Sequence, residues 1–188
     1  FWKVLDTPSR MQVQTKVAFK LLLLTGVRTQ ELLRAKWENV QGDIWSIPVE
    51  DQKLTPKQAR RARPFVIPLA PQAKALFEEL REYAGDSPFV MATESGHYGK
   101  NALSLAMSRV VDRLGMPRAT PHDLRRTLRT GLGETLKIEP HIAERCLNHS
   151  MGKLTETYDP GVYLEQRRAA MERWADQVDM YVNLPDNV

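Results

Sequence analysis

Apolar residues recur at helical spacing in several segments of the chain, and this period is the first structural signal in the sequence. Asp6 or Thr7 ahead of Pro8 suits the cap of the first helix, and Gly26 suits its end. The predicted helices are Pro8–Leu24, Glu31–Trp37, Gln72–Tyr83, Asn101–Leu114, Pro121–Thr135, Glu139–Leu147 and Tyr163–Tyr181.

Two short runs have the composition of β-strands instead. Ile44–Ile47 and Phe65–Leu69 are rich in β-branched and aromatic residues and flank a polar connection, which predicts a small antiparallel sheet. Phe89–Met91 is predicted as a short edge strand. The predicted fold class is therefore mainly α with one small antiparallel β-sheet. A chain of 188 residues suits a single domain, with residues 159–188 as a C-terminal tail and helix.

Composition narrows the functional classes only a little. Lys and Arg number 27 against 23 Asp and Glu, a net charge of +4 that permits a polyanionic partner without requiring one. Cys146 is the single cysteine, which excludes an intramolecular disulfide and makes a reducing, cytoplasmic location the expectation. The longest apolar run, Val17–Leu24, is too short to span a membrane. A start at Phe1 suggests a piece of a longer protein.

The segment Thr120-Pro-His-Asp-Leu-Arg125 predicts a capped helix with chemistry in its first turns. Thr120 suits the N-cap, and Asp123 three residues later completes a capping box. His122 and Arg125 are three residues apart and would share one face. Free backbone N–H groups and the helix dipole would make this end attractive to anions. Alone, the motif is equally compatible with a packed histidine and a solvated arginine.

A second candidate is the segment Thr25-Gly-Val-Arg-Thr-Gln-Glu31-Leu. A helix ends at Gly26, and Arg28 precedes Glu31 by three residues. An arginine held by a neighbouring carboxylate is preorganised to contact a phosphate through two donors. A turn with a surface ion pair is the alternative.

The third candidate lies near the C-terminus, where Cys146-Leu-Asn-His149 is followed nine residues later by Tyr158. Cys146, His149 and His141 could be zinc ligands, but a single thiolate argues against a structural zinc site. Tyr158 alone could be a half-buried aromatic residue beside a turn.

Together and in this order, these motifs resemble the catalytic domain of tyrosine recombinases, the phage integrase family, and in particular integrases of prophages and genomic islands. The resemblance extends from about Pro8 to Val178 and implies the family's fold. It implies that the nucleophile is Tyr158, and that Tyr163 is not. It assigns the family's catalytic arginines and histidines to Arg28, Arg125, His122 and His149, with Glu31 supporting Arg28.

The family also uses a lysine on a β-hairpin, and the resemblance points to Lys53. The connection 54–64 is longer than expected and contains Lys57, which remains a competitor for this role. Two further positions differ from the family's usual pattern: Asn148, where many relatives have glycine, and Gln30, which precedes Glu31. Side chains expected to contact DNA phosphates are those of Arg60, Arg61, Arg63 and Arg126.

The resemblance implies site-specific recombination, integration or excision, through a covalent 3′-phosphotyrosine. No metal or other cofactor is expected, because arginines, a lysine and imidazoles supply the positive charge and the proton transfers. The expected partner is double-stranded DNA, bound by a homo-oligomer, a tetramer. The family's N-terminal DNA-binding domains are expected to be absent from this chain. Two alternatives remain open, a type IB topoisomerase and a DNA-binding regulatory module that does not cleave.

Overall fold

The structure is a computed structural model that describes residues 1–7, 9–93, 96–149 and 163–185. Most of these residues are helical. The helices are α1 (Trp2–Asp6), α2 (Val13–Thr25), α3 (Thr29–Leu33), α4 (Pro56–Ala59), α5 (Pro71–Ala84), α6 (Ala102–Arg113), α7 (Pro121–Thr130), α8 (Pro140–Cys146) and α9 (Leu164–Val182).

A three-stranded antiparallel sheet lies between α3 and α5 in the chain. Its strands are β1 (Val40–Gln41), β2 (Ile44–Ile47) and β3 (Phe65–Pro68), in the order β1-β2-β3. Ile44 lies opposite Pro68 and Ile47 opposite Phe65, so β2 and β3 form a hairpin with a long connection. A separate pair, β4 (Ala92–Thr93) and β5 (Gly96–His97), is also antiparallel. The predicted fold class, mainly α with a small antiparallel sheet, is confirmed.

Helix α2 is the centre of the core. It is apolar around most of its circumference, and Phe19, Leu21 and Leu22 are almost completely buried. A helix with this composition has to be surrounded, and α2 packs against α5, α6, α7 and α9. The core therefore holds α7, which carries the candidate site residues His122, Arg125 and Arg126, in a fixed position.

Helix α9 completes this core from the C-terminal side. Trp174 is buried on α9, and its indole N–H donates to the Leu23 carbonyl at 2.9 Å. Arg167, also buried, donates to the Val66 carbonyl on β3. A side chain at Gly131 would collide with the Trp174 ring, so glycine is what permits this close contact. In the described residues no helix is both long and apolar enough to cross a membrane.

Three element boundaries differ from the sequence prediction at the N-terminal side. The helix predicted for Pro8–Leu24 begins at Val13, and its predicted start lies outside the described residues. The Ser9 hydroxyl accepts from the Met11 backbone N–H, a local alternative to helix. The short helix α1 was not predicted, and Thr7 ends it rather than capping α2.

Long-range pairing explains two further differences. The predicted helix Glu31–Trp37 is the shorter α3, because Lys36 forms an antiparallel bridge with Phe89. Phe89–Met91 is thus a single bridge followed by a bend rather than an edge strand, and β4 comes after it.

The helix predicted for Pro121–Thr135 consists of α7 followed by a π-helical turn, Gly131–Thr135.

Candidate active site

The first half of the candidate site is built locally around Glu31. Gly26 ends α2 with a positive φ of 64°, and Arg28 is the extended residue that precedes α3. The buried carboxylate of Glu31 accepts from the backbone N–H of Arg28 and from its guanidinium, both at 2.7 Å. Loss of Arg28 would leave the buried Glu31 carboxylate without its cation and would destabilise the fold. Arg28 is thus fixed, while its side chain stays partly exposed.

The N-terminus of α7 contains the predicted capping box. The backbone N–H of Thr120 donates to the Asp123 carboxylate at 2.8 Å, and this bond holds the pKa of Asp123 below its usual value. His122 lies on this first turn and is exposed. Partial desolvation of its ring, followed by the charge of Arg125, lowers the pKa of His122, so the ring is neutral at pH 7.

Arg125 is the buried centre of the site, with 4% of its surface exposed. Its guanidinium donates to the carbonyls of Gly26 and Leu147, and its Nη2 lies 2.9 Å from Nε2 of His149. Burial, followed by the charge of Arg28, lowers the pKa of Arg125 to about 10, which still leaves it a cation at neutral pH. The structure therefore brings Arg28, Arg125 and His149 together.

His149 is placed by the end of α8. The helix closes with a Schellman motif, in which the His149 N–H donates to the Glu144 carbonyl and the Asn148 N–H to the Arg145 carbonyl. Asn148 occupies the left-handed position with φ 52°. Glycine adopts this conformation at no steric cost, and asparagine also tolerates it. The departure at this position therefore keeps the turn that presents His149.

A carboxylate orients the His149 ring. Oε2 of Glu144 lies 2.5 Å from Nδ1 of His149, and Arg129 donates to Oε1 of Glu144 at 2.7 Å. Burial raises the pKa of Glu144, but these two hydrogen bonds outweigh it and hold the pKa below its usual value. Because an arginine N–H can only donate, Nε2 of His149 accepts from Arg125, and Nδ1 is left to donate to the ionised carboxylate.

Lys53 and Lys57 have different surroundings in the hairpin connection. Lys53 is exposed and follows Gln52, which is buried and bonded to both ends of the connection. Lys57 lies on the one-turn helix α4, where every residue is exposed. Neither lysine forms a side-chain hydrogen bond or ion pair with the described residues, so they differ only in how their backbone is held.

The remaining predicted residues lie at the edge of this cluster or outside it. Arg60, Arg61 and Arg63 are exposed in the hairpin connection, and Arg126 is exposed on α7 within 3.4 Å of Asp123. Tyr158 lies outside the described residues. Tyr163 is half-exposed at the start of α9, with its ring against His141.

Sequence reasoning missed three supporting residues, Gln52, Arg129 and Glu144. The spacing of Glu144 and His149, five residues apart across a helix end, is a local signal that could have identified Glu144. The zinc hypothesis gains no support from Cys146, because burial raises the pKa of its thiol to about 11 and disfavours the thiolate.

The sequence is similar to known integrases over most of its length. The model of the phage integrase family matches residues 2–160. Prophage integrase IntZ of Escherichia coli K12 is 36% identical over 183 residues, which cover 95% of this chain and 42% of that protein. The integrase of Enterobacteria phage P4 is 28% identical over 187 residues, with 93% and 42% coverage. The chain thus spans less than half the length of these relatives.

Solved structures share the fold. The integrase from mycobacterium phage Brujita superimposes with a TM-score of 0.64 at 18% identity, covering 88% of this chain and 53% of that one. The Tn1549 transposon integrase in complex with transposon right-end DNA superimposes with a TM-score of 0.65 at 17% identity, covering 93% of this chain and 62% of that one. A lambda integrase dimer bound to a COC′ core site superimposes with a TM-score of 0.60 at 17% identity, covering 89% of this chain and 55% of that one.

Proposed function

Because the chain belongs to the phage integrase family, we propose that it is the catalytic domain of a site-specific recombinase that cuts and rejoins double-stranded DNA. The observation that carries the proposal is the convergence of Arg28, Arg125 and His149, side chains from separate parts of the chain and of types that can bind phosphate. One hydrophobic core runs through the described residues, which supports one catalytic domain for residues 1–188.

The proposed reaction exchanges one phosphodiester for another. The hydroxyl oxygen of Tyr158 attacks the scissile phosphorus while the bond from phosphorus to the 5′-oxygen breaks. His122, neutral because of its lowered pKa, takes the tyrosine proton, and Lys53 gives a proton to the leaving 5′-oxygen. The products are a 3′-phosphotyrosine and a free 5′-hydroxyl. Attack by the 5′-hydroxyl of a second duplex reverses these steps and joins the exchanged strands.

The cluster of Arg28, Arg125 and His149 would stabilise the negative charge of the transition state. As the phosphorus becomes five-coordinate, negative charge grows on its non-bridging oxygens, which the neighbouring positive charges of Arg28 and Arg125 would stabilise. His149, oriented by Glu144, lies against the Arg125 guanidinium and helps to hold it in place. The cations are held by the protein fold before DNA arrives, so little reorganisation is needed during the reaction.

Lys53 is the better candidate for the general acid. The Leu54 N–H donates to the Gln52 carbonyl at 3.0 Å, which places Lys53 at the middle of a tight turn. Gln52 in turn contacts Asn148, the neighbour of His149. Lys57 lacks such an anchor, because α4 is exposed throughout.

DNA beyond the cut would contact the exposed arginines. Arg60, Arg61 and Arg63 on the hairpin connection and Arg126 on α7 can bind phosphates without reading sequence. The lambda integrase neighbour is a DNA-bound dimer, which supports assembly of several copies on DNA, a tetramer in a complete recombination event. We also assign the protein to the cytoplasm, where the DNA substrate would be found.

The direct test is capture of the covalent adduct. We expect the chain to become attached to members of a randomised library of nicked duplexes, from which the strand with the freed 5′-hydroxyl diffuses away. A denaturing gel detects the adduct, and sequencing of the attached DNA reveals the target site. Excess EDTA should leave the yield unchanged, because arginine, lysine and histidine supply the charge and the proton transfers. Loss of the adduct in EDTA and its return with magnesium would refute this mechanism.

Two control experiments separate the alternatives. A type IB topoisomerase would relax supercoiled plasmid of any sequence, whereas a recombinase should act on plasmids that carry the recovered site. A regulatory module would bind the same DNA without forming an adduct. The contact between the buried Arg125 and His149 favours cleavage over binding alone.

Replacement of the hairpin lysine gives a second prediction. Lys53→Ala should slow adduct formation about 10²- to 10⁴-fold, the range for loss of a general acid. A duplex with sulfur in place of the 5′-bridging oxygen should restore the rate, since a thiolate leaves without a proton. Lys57→Ala is the matched control and should cleave both duplexes normally. The opposite pattern, with rescue of Lys57→Ala, would reassign the acid.

A further inference from the structure

Gln52 connects three segments of the chain that meet beside the site. With 7% of its surface exposed, it donates from Nε2 to the Ile47 carbonyl at 3.1 Å and to the Arg63 carbonyl at 2.9 Å. These carbonyls lie at the two ends of the hairpin connection. Its Oε1 accepts from the Asn148 amide at 3.1 Å. One side chain therefore closes the connection and ties it to the turn after α8.

Asn148 is suited to its half of this contact. Its positive φ belongs to the Schellman motif, and its amide reaches across to the hairpin. Glycine would adopt the same backbone conformation, but it has no side-chain amide to donate to Gln52. The hydrogen bond to Gln52 is thus separable from the turn that places His149.

The contact joins two groups with different tasks in the reaction. Lys53 follows Gln52 directly at the middle of its turn, and His149 follows Asn148 directly. We propose that Gln52 and Asn148 are positioning residues, a pair that holds the general-acid lysine in register with the phosphate-binding cluster. The inference rests on the proposed function, in which Lys53 protonates the leaving oxygen.

A lysine side chain is long and flexible, so its reach depends on where its backbone is held. Without the pair, the connection 48–64 would lose its link to the Arg125 cluster, and the ammonium group would spend less time at the 5′-oxygen. Displacement of a catalytic group by about 1 Å can cost roughly 100-fold in rate. Binding of DNA through Arg126 would be unaffected, because Arg126 lies on α7, outside the connection.

The test compares two leaving groups in three variants, Gln52→Ala, Asn148→Gly and the double variant, on the duplex recovered by adduct capture. With the ordinary 5′-oxygen, each single variant should form adduct roughly 10- to 100-fold more slowly. With the 5′-sulfur, rates should return to within about twofold of wild type, since no acid is needed. The double variant should be no slower than the slower single variant, because each single change already removes the hydrogen bond between Gln52 and Asn148.

Gln58→Ala is the matched control, since Gln58 lies in the same connection but its amide oxygen accepts from the Thr55 N–H. It should behave as wild type on both duplexes. Equal slowing of a variant on oxygen and sulfur, or no slowing, would overturn the positioning role. If thermal unfolding shows that Gln52→Ala is not folded, the test rests on Asn148→Gly, because in that variant Gln52 keeps its bonds to the Ile47 and Arg63 carbonyls. A wild-type chain without any adduct would instead refute the proposed function, and the pair with it.

Discussion

Arg125→Lys should lower the rate of adduct formation about 100- to 1,000-fold, the scale on which loss of a preorganised donor acts on a charged transition state. Lysine keeps the positive charge but has one compact donor group in place of the planar fork. It cannot bond the Gly26 and Leu147 carbonyls and still present two donors to a phosphate. Affinity for DNA, measured by fluorescence anisotropy at fixed salt, should change only a few-fold because the total charge is unchanged.

Arg126→Lys is the control for this experiment. Arg126 is the next residue on α7, but it is exposed and contacts only Asp123 among the described residues. Its replacement should leave the cleavage rate close to wild type. Thermal unfolding of both variants separates a catalytic loss from a folding loss. Cleavage by Arg125→Lys at the wild-type rate would mean that His122 and Arg125 mark only a capped helix.

Tyr158→Phe should abolish the adduct, with a decrease of about 10⁴-fold or more, as expected when a nucleophile is removed. Tyr163→Phe should leave adduct formation intact. Tyr163 precedes α9, with a positive φ of 59° and its ring 5.1 Å from that of His141, so it has a packing role that phenylalanine can also fill. The two substitutions remove the same single atom, and each is therefore the control for the other.

Mass spectrometry of the trapped complex decides the assignment independently of rates. Digestion to peptides should leave a nucleotide remnant on Tyr158. A remnant on Tyr163, or an adduct that persists in Tyr158→Phe, would overturn the assignment. Both tyrosines follow His149 closely in sequence, so spacing from the histidine does not choose between them.

The parts of the site that depend on neighbouring residues could be predicted from sequence. The capping box of Thr120 and Asp123 and the pairing of Arg28 with Glu31 both follow from a three-residue spacing, and the structure contains both. Helices with a clear apolar period, such as α5 and α6, were also predicted to within about two residues, because their own side chains decide where they begin and end.

The parts that depend on distant partners could not be predicted. Gln52 gains its role from Asn148, which lies 96 residues later, and nothing in the local pattern marks it. The end of α3 is likewise set by the bridge between Lys36 and Phe89. Such contacts exist only once the chain has folded, and a local period contains no information about them.

Under the proposed function, the hydrogen bonds of Arg125 also tie DNA cleavage to complete folding. Its carbonyl partners lie 99 residues before it, at Gly26, and 22 residues after it, at Leu147. Closing loops of this length costs entropy that the packed core offsets, so both bonds require the folded core. A chain that has not yet folded, or one that has partly opened, would therefore lack a cleaving centre. The bonds that prepare the folded domain to cut DNA would then also protect genomic DNA from the unfolded chain.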